Sequence, residues 1–463
     1  MSRQHLTLIA ISCALLAGCG SLVPPTDKIA PPLREEFRPT TAAAPVPANV
    51  SHQWDGFFTD ARLRDVVGIA LQQNRSLRAS AAAVERVRAL YRVAESDRLP
   101  HLNAGASASR QEAAGVTSSS YSVSLGLAAW EIDLFNRLGS LEGAALARYL
   151  AQQETQRSAR LSLVAEVTNA WLTLAAEQQR LTLAVQLRDS QQRTLALTEQ
   201  RYQLGAAAGL ERARARAAFE AARGEATRAQ GAVTQARLAL ELLAGQPLPD
   251  TLLPVAQDLQ PVMALPAIPG GLPADVLLQR PDLRAAEQAL QAAAFDVGAA
   301  RAARFPRLTL TASGGTRSPE LDGLFKSGTG FWSVVPSIDL ALFDGGARAA
   351  QVEVSEATRR QALATYEGAL QSAFREVADV LAVRDGLAER LDAQQAQVTA
   401  AAQSLRFAED SYRLGGSSQL DLLDAQRQLA SAQQALVTLR QTEQANRVTL
   451  LRALGGRWTA GGG

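Results

Sequence analysis

Few residues in this 463-residue chain are of types that do covalent or metal chemistry: two cysteines, Cys13 and Cys19, and three histidines, His5, His52 and His101. The histidines are too scattered for zinc-type spacing, and no serine, histidine and acid stand together as a nucleophilic triad requires. No Gly-rich loop runs into Lys-Ser or Lys-Thr, so nothing marks a nucleotide site. One nucleophile sits in an informative place. Cys19 closes Leu16-Ala17-Gly18-Cys19, behind an apolar stretch from Leu6 to Leu15 and the basic Arg3. A thiol in that position can carry a thioether-linked group, while catalysis has no constellation to rest on. The sequence therefore predicts a protein that is not an enzyme.

The apolar stretch is far too short to span a bilayer and ends in small residues, so residues 1–18 are expected to form a cleaved signal peptide. The arrangement resembles the bacterial lipoprotein signal, which implies diacylglycerol on the Cys19 sulfur and palmitoyl on its new amino group. An ordinary secretory signal with an incidental cysteine is the alternative. Gly20, where an Asp would suggest retention at the inner membrane, favours the outer one. Cys13 leaves with the signal, so the mature chain has no disulfide to form. A net charge of +2 with 20% charged residues and no basic stripe argues against nucleic acid as a partner.

Everything else is positioned by a chain written twice. Asn74-Arg75-Ser76-Leu77-Arg78-Ala79 is echoed 206 residues later by Arg280-Pro281-Asp282-Leu283-Arg284-Ala285, and Arg98-Leu99-Pro100 at the same offset by Arg304-Phe305-Pro306. Phe135-Asn136 and Phe343-Asp344 lie 208 apart; Tyr202-Gln203-Leu204-Gly205 and Tyr412-Arg413-Leu414-Gly415 lie 210 apart. A preserved order with slow drift is what small loop changes in a duplicated unit produce.

Each copy opens with an amphipathic helical segment, about 77–98 and 283–304, ended by Pro100 or Pro306. The period then becomes two. Leu102, Ala104, Ala106 and Ala108 alternate with small or polar residues, as do Tyr121, Val123, Leu125 and Leu127. In the second copy Leu308, Leu310 and Ala312 are answered by Trp332, Val334, Pro336, Ile338, Leu340 and Leu342. Two hairpins, about 100–132 and 306–343, are expected, each with one apolar face. A soluble sandwich edge would share that period. Strand lengths of roughly 10 to 13 residues favour membrane strands. So do aromatics at both ends: Trp130, Phe135, Phe305 and Phe343 at one, Tyr121, Phe325, Phe331 and Trp332 at the other. Four strands cannot close a barrel, so such a chain must oligomerise.

After each hairpin an uninterrupted helix is expected, from Arg137 to Gly205 and from Gly345 to Gly415, each about 100 Å long at ~1.5 Å per residue. In the second, Leu363, Tyr366, Leu370, Ala373, Val377, Val380 and Leu387 fall on the alternating steps of a coiled-coil seam, with Arg384 in one of its places. Return helices follow to about Leu243 and Leu454. A coiled-coil scaffold without a lumen, anchored by lipid as a periplasmic adaptor or structural protein, would share these helices.

Taken together, these residues resemble the outer-membrane factor family, the TolC-like exit ducts of tripartite efflux pumps, and in particular its NodT-type lipoprotein branch. The acylation site, the duplication, Arg-[Leu/Phe]-Pro before each hairpin and Tyr-x-Leu-Gly after each long helix carry the resemblance. Its most specific stretch is Leu422-Leu423-Asp424-Ala425-Gln426-Arg427, which follows Leu420-Asp421. The resemblance implies a mostly α fold with a β-barrel portion: a homotrimer in which each chain gives four strands to one twelve-stranded barrel and its helices to a periplasmic tunnel. It implies outer-membrane localisation, a periplasmic adaptor, and an inner-membrane transporter of the resistance-nodulation-division type. Apart from the covalent lipid it implies no cofactor. A duct for type I protein secretion shares the architecture, and the exported compound stays unnamed.

The same resemblance carries a periplasmic gate onto Leu420, Asp424 and Arg427, whose spacing puts them on one helical face. An ordinary surface ion pair beside a core leucine would look the same. The first copy has Leu210, Arg214 and Ala217 at the equivalent positions, so closure would rest on the second copy. The expected organisation is signal peptide 1–18, lipidated tether and belt segment 19–60, repeat 61–246, belt linker 247–275, repeat 276–456 and tail 457–463.

Overall fold

The computed structural model describes residues 22–25, 58–256, 262 and 274–456; Cys19 and most of the tether lie outside the described residues. The first half runs α1 (Ala61–Gln73), α2 (Arg75–Ser96), β1 (Leu102–Ala113), β2 (Val116–Ile132), α3 (Arg137–Gln203) and α4 (Gly209–Ala244). The second runs α5 (Pro281–Ala302), β3 (Arg307–Ser318), β4 (Gly330–Asp339), α6 (Ala347–Asp385), α7 (Leu387–Arg413) and α8 (Gln419–Ala453). Two units divide the chain: one holds the strands with Ala82–Glu154 and Arg284–Ala369, the other the helical remainder.

In the first unit the strands form one antiparallel sheet in the order β1-β2-β3-β4. Register places Leu102, Leu127, Ala312 and Val334 in one row, and Ala104, Leu125, Gly314 and Trp332 in the next, so the alternating apolar residues share one face. That face is bare. Trp332 is 81% exposed and Ile338 72%. The opposite face is Ser- and Gly-rich, with Ser107 and Ser122 hydrogen-bonded at 2.8 Å. Gly315 lies on it beside Ser124, and a Cβ there would lie 2.1 Å from the Val123 carbonyl oxygen.

Strict alternation beyond Leu127 would carry Glu131 onto the apolar face. It does not, because the register between β2 and β3 shifts between Leu127 and Trp130. Ala129 takes φ 46° there, and its N–H donates to the Thr311 hydroxyl at 3.2 Å. The extra residue resets the phase, as a β-bulge does. Trp130 and Ile132 pair with Leu310 and Leu308 on the apolar face, and Glu131 turns to the other. There two guanidiniums grip it: Arg137 donates at 2.8 and 2.7 Å and Arg307 at 3.0 and 2.7 Å. Just beyond, the Asp133 carboxylate accepts the N–H groups of Arg137 and Gly139 and so caps the start of α3.

Three expectations need correction. Phe331 faces the polar side, paired with Gly315 and with the Arg317 guanidinium 4.8 Å from its ring centre, and so leaves the aromatic belt assigned to it. Strand β4 stops at Asp339 rather than running on through Leu340 and Leu342. Its partner β3 begins opposite at Arg307, after Pro306, which has no N–H to extend the ladder. Finally, the second long helix is not continuous to Gly415. It breaks at Gly386, which separates α6 from α7, while α3 runs unbroken for 67 residues. Glycine inside a helix is about 1 kcal/mol worse than alanine, and the neighbouring seam position is the charged Arg384.

In the second unit a core forms around Trp171, fully buried with Leu63, Val66, Leu240 and Leu451. The seam residues Leu370, Ala373, Val377 and Leu387 are buried as their spacing predicts. Both return helices end on a clamp and a left-handed glycine. Asn74 donates to the Leu243 carbonyl at 2.9 Å before Gly245 (φ 78°). Arg280 donates to the Ala453 carbonyl at 3.0 Å before Gly455 (φ 77°), and also binds Asp282 and Glu376 at 2.7 and 3.0 Å. Burial by itself would raise the pKa of Asp282, but the bonds and charge of Arg280 prevail and hold it below the usual carboxylate range.

Candidate functional site

The stretch from Tyr412 to Arg427 turns the chain from α7 into α8. Gly415 (φ 80°) stops the first helix. Ser418 starts the second with a capping box: its hydroxyl accepts the Asp421 N–H at 3.2 Å, and Asp421 accepts the Ser418 N–H at 3.0 Å. The Ser418 hydroxyl also donates to the Asp421 carboxylate at 2.8 Å, and this bond together with that from the Ser418 N–H holds the carboxyl below its ordinary pKa. A capped helix fixes the rotation of its first turns, and with it the face that carries Leu420, Asp424 and Arg427.

Within one chain that face is solvated. The Asp424 and Arg427 side chains are 52% and 65% exposed, and their closest approach is 3.4 Å. Asp424 makes a shorter bond, 2.6 Å, with the Gln428 amide. An exposed i,i+3 pair of this kind is worth about 0–1 kcal/mol. The periplasmic gate expected of these residues is thus not a property of the single chain. The neighbouring pair Asp410–Arg413, at 2.5 Å on α7, is more exposed, at 62% and 75%.

The structure also brings together residues that the sequence analysis did not link. Arg214, the first-copy counterpart of Asp424, lies on α4 and shares with Leu420 and Arg427 of α8 a cavity of about 520 Å³, whose third wall is α3. Behind it, α3 and α8 run antiparallel along a polar seam. Gln441 donates to Thr173 at 3.0 Å, Arg180 to Gln441 at 3.1 Å, Gln191 to Gln426 at 2.8 Å, and Gln419 to Thr198 at 3.2 Å. Gln191, Gln419 and Gln426 are all buried. Glutamine in a heptad pattern reads as a solvent residue, so the advance signal was a spacing of seven, from Gln191 to Thr198 and from Gln419 to Gln426.

Cys19 lies outside the described residues, yet the segment just after it is placed against the sheet-bearing unit. The Leu22 carbonyl accepts from Arg301 at 3.4 Å and the Pro25 carbonyl from Arg359 at 3.0 Å. Val23 lies against Gly298, where a Cβ would come within 2.5 Å of its methyl carbon. Among the described residues no helix is long and apolar enough to cross a membrane, and no cluster of His, Cys, Asp and Glu could hold a metal.

Comparison with known proteins gives one answer. A family model described as outer membrane efflux protein matches residues 66–246 and again 272–456. The outer membrane protein OprJ of Pseudomonas aeruginosa is 40% identical over 469 residues, spanning 100% of this chain and 98% of that protein. The toluene efflux pump outer membrane protein TtgF of Pseudomonas putida is also 40% identical, across 98% of this chain and 97% of its own length. Among solved structures, the open state of the Neisseria gonorrhoeae MtrE outer membrane channel superposes with a TM-score of 0.84 at 38% identity, covering 94% of this chain and 98% of that one.

Proposed function

Since this chain belongs to the outer membrane efflux protein family, an outer-membrane channel that conducts passively and is not an enzyme, we propose that it works as the homotrimeric exit duct of a tripartite pump. The observation that carries the reading is the sheet: four strands with one bare apolar face, a Ser/Gly face opposite, and unpaired edges at β1 and β4. Unpaired strand edges are not tolerated in lipid, and three copies joined edge to edge make a closed ring of twelve strands. The family model's two separate matches support reading the chain as an internal duplication. Leu420, Asp424 and Arg427 from three chains then ring the tunnel and hold it shut. A periplasmic adaptor and an inner-membrane resistance-nodulation-division transporter open it and supply the energy. Purified protein is expected to have the mass of a trimer and to give discrete ohmic channels in planar bilayers. A monodisperse monomer without channel activity would refute the reading.

Cys19 is the lipid anchor in this proposal, carrying diacylglycerol and an N-palmitoyl group. The support is its place behind the signal and the seating of residues 22–25 on α5 and α6. Each buried methylene contributes about 0.8 kcal/mol to anchoring, but a completed barrel holds the trimer in the membrane without the lipid. Cys19→Ala should therefore abolish palmitate labelling while some heat-stable trimer persists. Labelling that survives the substitution would disprove the anchor.

A further inference from the structure

We propose that the cavity walled by α3, α4 and α8 binds a small amphipathic organic anion. Its volume of about 520 Å³ lies within the roughly 300–1,000 Å³ of sites that take drug-sized ligands. The space exists because α4, between Arg214 and Glu225, presents only the methyl groups of Ala217, Ala218, Ala221 and Ala222, opposite Leu187 of α3 and Leu423 of α8. A ring system can lie against such walls. The polar groups are few and convergent, as in a ligand site.

Two of them define the ligand's chemistry. Gln191 is 3% exposed, and its amide nitrogen is committed to Gln426, but its carbonyl oxygen is buried without a hydrogen-bond partner. Among the described residues with such an orphaned polar atom, it is the one that lines this cavity. An unmet buried acceptor calls for an N–H or O–H from the occupant. The charge is also one-sided. Glu225 is gripped by Arg228 at 2.6 and 2.8 Å, whereas Arg427 is held only loosely by Asp424 at 3.4 Å, and Arg214 lines the same cavity. The remaining field is positive and suits a carboxylate or sulfonate. A ligand here would tie α8 to α4 and so steady the face bearing Leu420 and Asp424. The site is complete within one chain, and its binding assay does not depend on conduction, so either claim can fail without the other.

The probe is 8-anilinonaphthalene-1-sulfonate, which combines fused rings, an N–H and a sulfonate. It is titrated by fluorescence into the full-length protein in lipid nanodiscs, with empty nanodiscs subtracted. Its neutral counterpart, N-phenyl-1-naphthylamine, has the same skeleton without the charge. One saturable site per chain is expected. Arg214→Glu at the exposed rim should weaken sulfonate binding about tenfold and leave the neutral probe unaffected. Gln191→Leu should weaken both probes, and Ala221→Trp should abolish saturation by filling the space. No saturable sulfonate binding in the wild type, as would follow if a neighbouring copy covers the cavity, overturns the proposal. So does equal affinity for the neutral probe, or a sulfonate affinity unchanged by both Arg214→Glu and Ala221→Trp.

Discussion

Leu125→Arg is expected to remove nearly all heat-stable trimer from the outer membrane, while Ser124→Arg leaves most of it in place. The two residues are adjacent, but register puts Leu125 on the apolar face beside Ala104 and Gly314 and Ser124 on the polar face beside Gly105 and Gly315. An arginine facing lipid near the midplane costs roughly 2–4 kcal/mol, and a trimer incurs that cost three times. One facing the lumen stays hydrated. Ile338→Arg and Ser337→Arg form the same contrast on β4, where Ile338 shares the apolar face with Leu308, and Ser337 sits beside Thr309 on the other. Heat-modifiable mobility on unboiled gels reads the outcome. Equal tolerance on both faces would mean that these strands do not meet lipid.

The second large effect is expected at the gate. Asp424→Ala combined with Arg427→Ala should give a folded trimer with a larger open population in planar bilayers and greater entry of large antibiotics into cells. In one chain the pair is exposed and stretched to 3.4 Å, so by itself it contributes little. Three copies facing a common axis change the sum. Three contacts of about 0.5–1 kcal/mol each shift the closed-to-open ratio by about tenfold or more. Asp410→Ala with Arg413→Ala removes an exposed pair of the same spacing before the turn and should leave conduction unchanged. If the gate double mutant conducts like wild type, closure lies elsewhere along the helices and the duct itself still stands.

The elements were legible in the sequence because their periods are long and clean. Alternation from Tyr121 to Leu127 and from Leu308 to Ala312 announced strands with one apolar face, and the α6 seam announced its own burial. The misses have different causes. The period itself sets Phe331 opposite Trp332, and the cluster of aromatics outweighed it, whereas nothing local says that β4 has run out of partner at Asp339. Gly386 was visible, but a heptad pattern running through it outweighed one glycine. At the candidate site, the spacing of Leu420, Asp424 and Arg427 gave a common face, yet the arrival of Arg214 from 210 residues earlier required α4 to pack beside α8.

The single inserted residue at Ala129 has a consequence for how this strand can change over evolutionary time. Strand β2 is written in two frames, one outward at Tyr121, Val123, Leu125 and Leu127, the other outward at Trp130 and Ile132, and the bulge is where they are spliced. Substitutions on either side are judged one at a time, and the splice is also where the strand can lose a residue: without one of Ala128 and Ala129, Trp130 would follow Leu127 at a spacing of two, opposite Leu310 as before. The two frames would then join in plain alternation, with Glu131 still on the face of Arg137 and Arg307. A strand built this way accepts many changes of letter and, at this one place, a change of length.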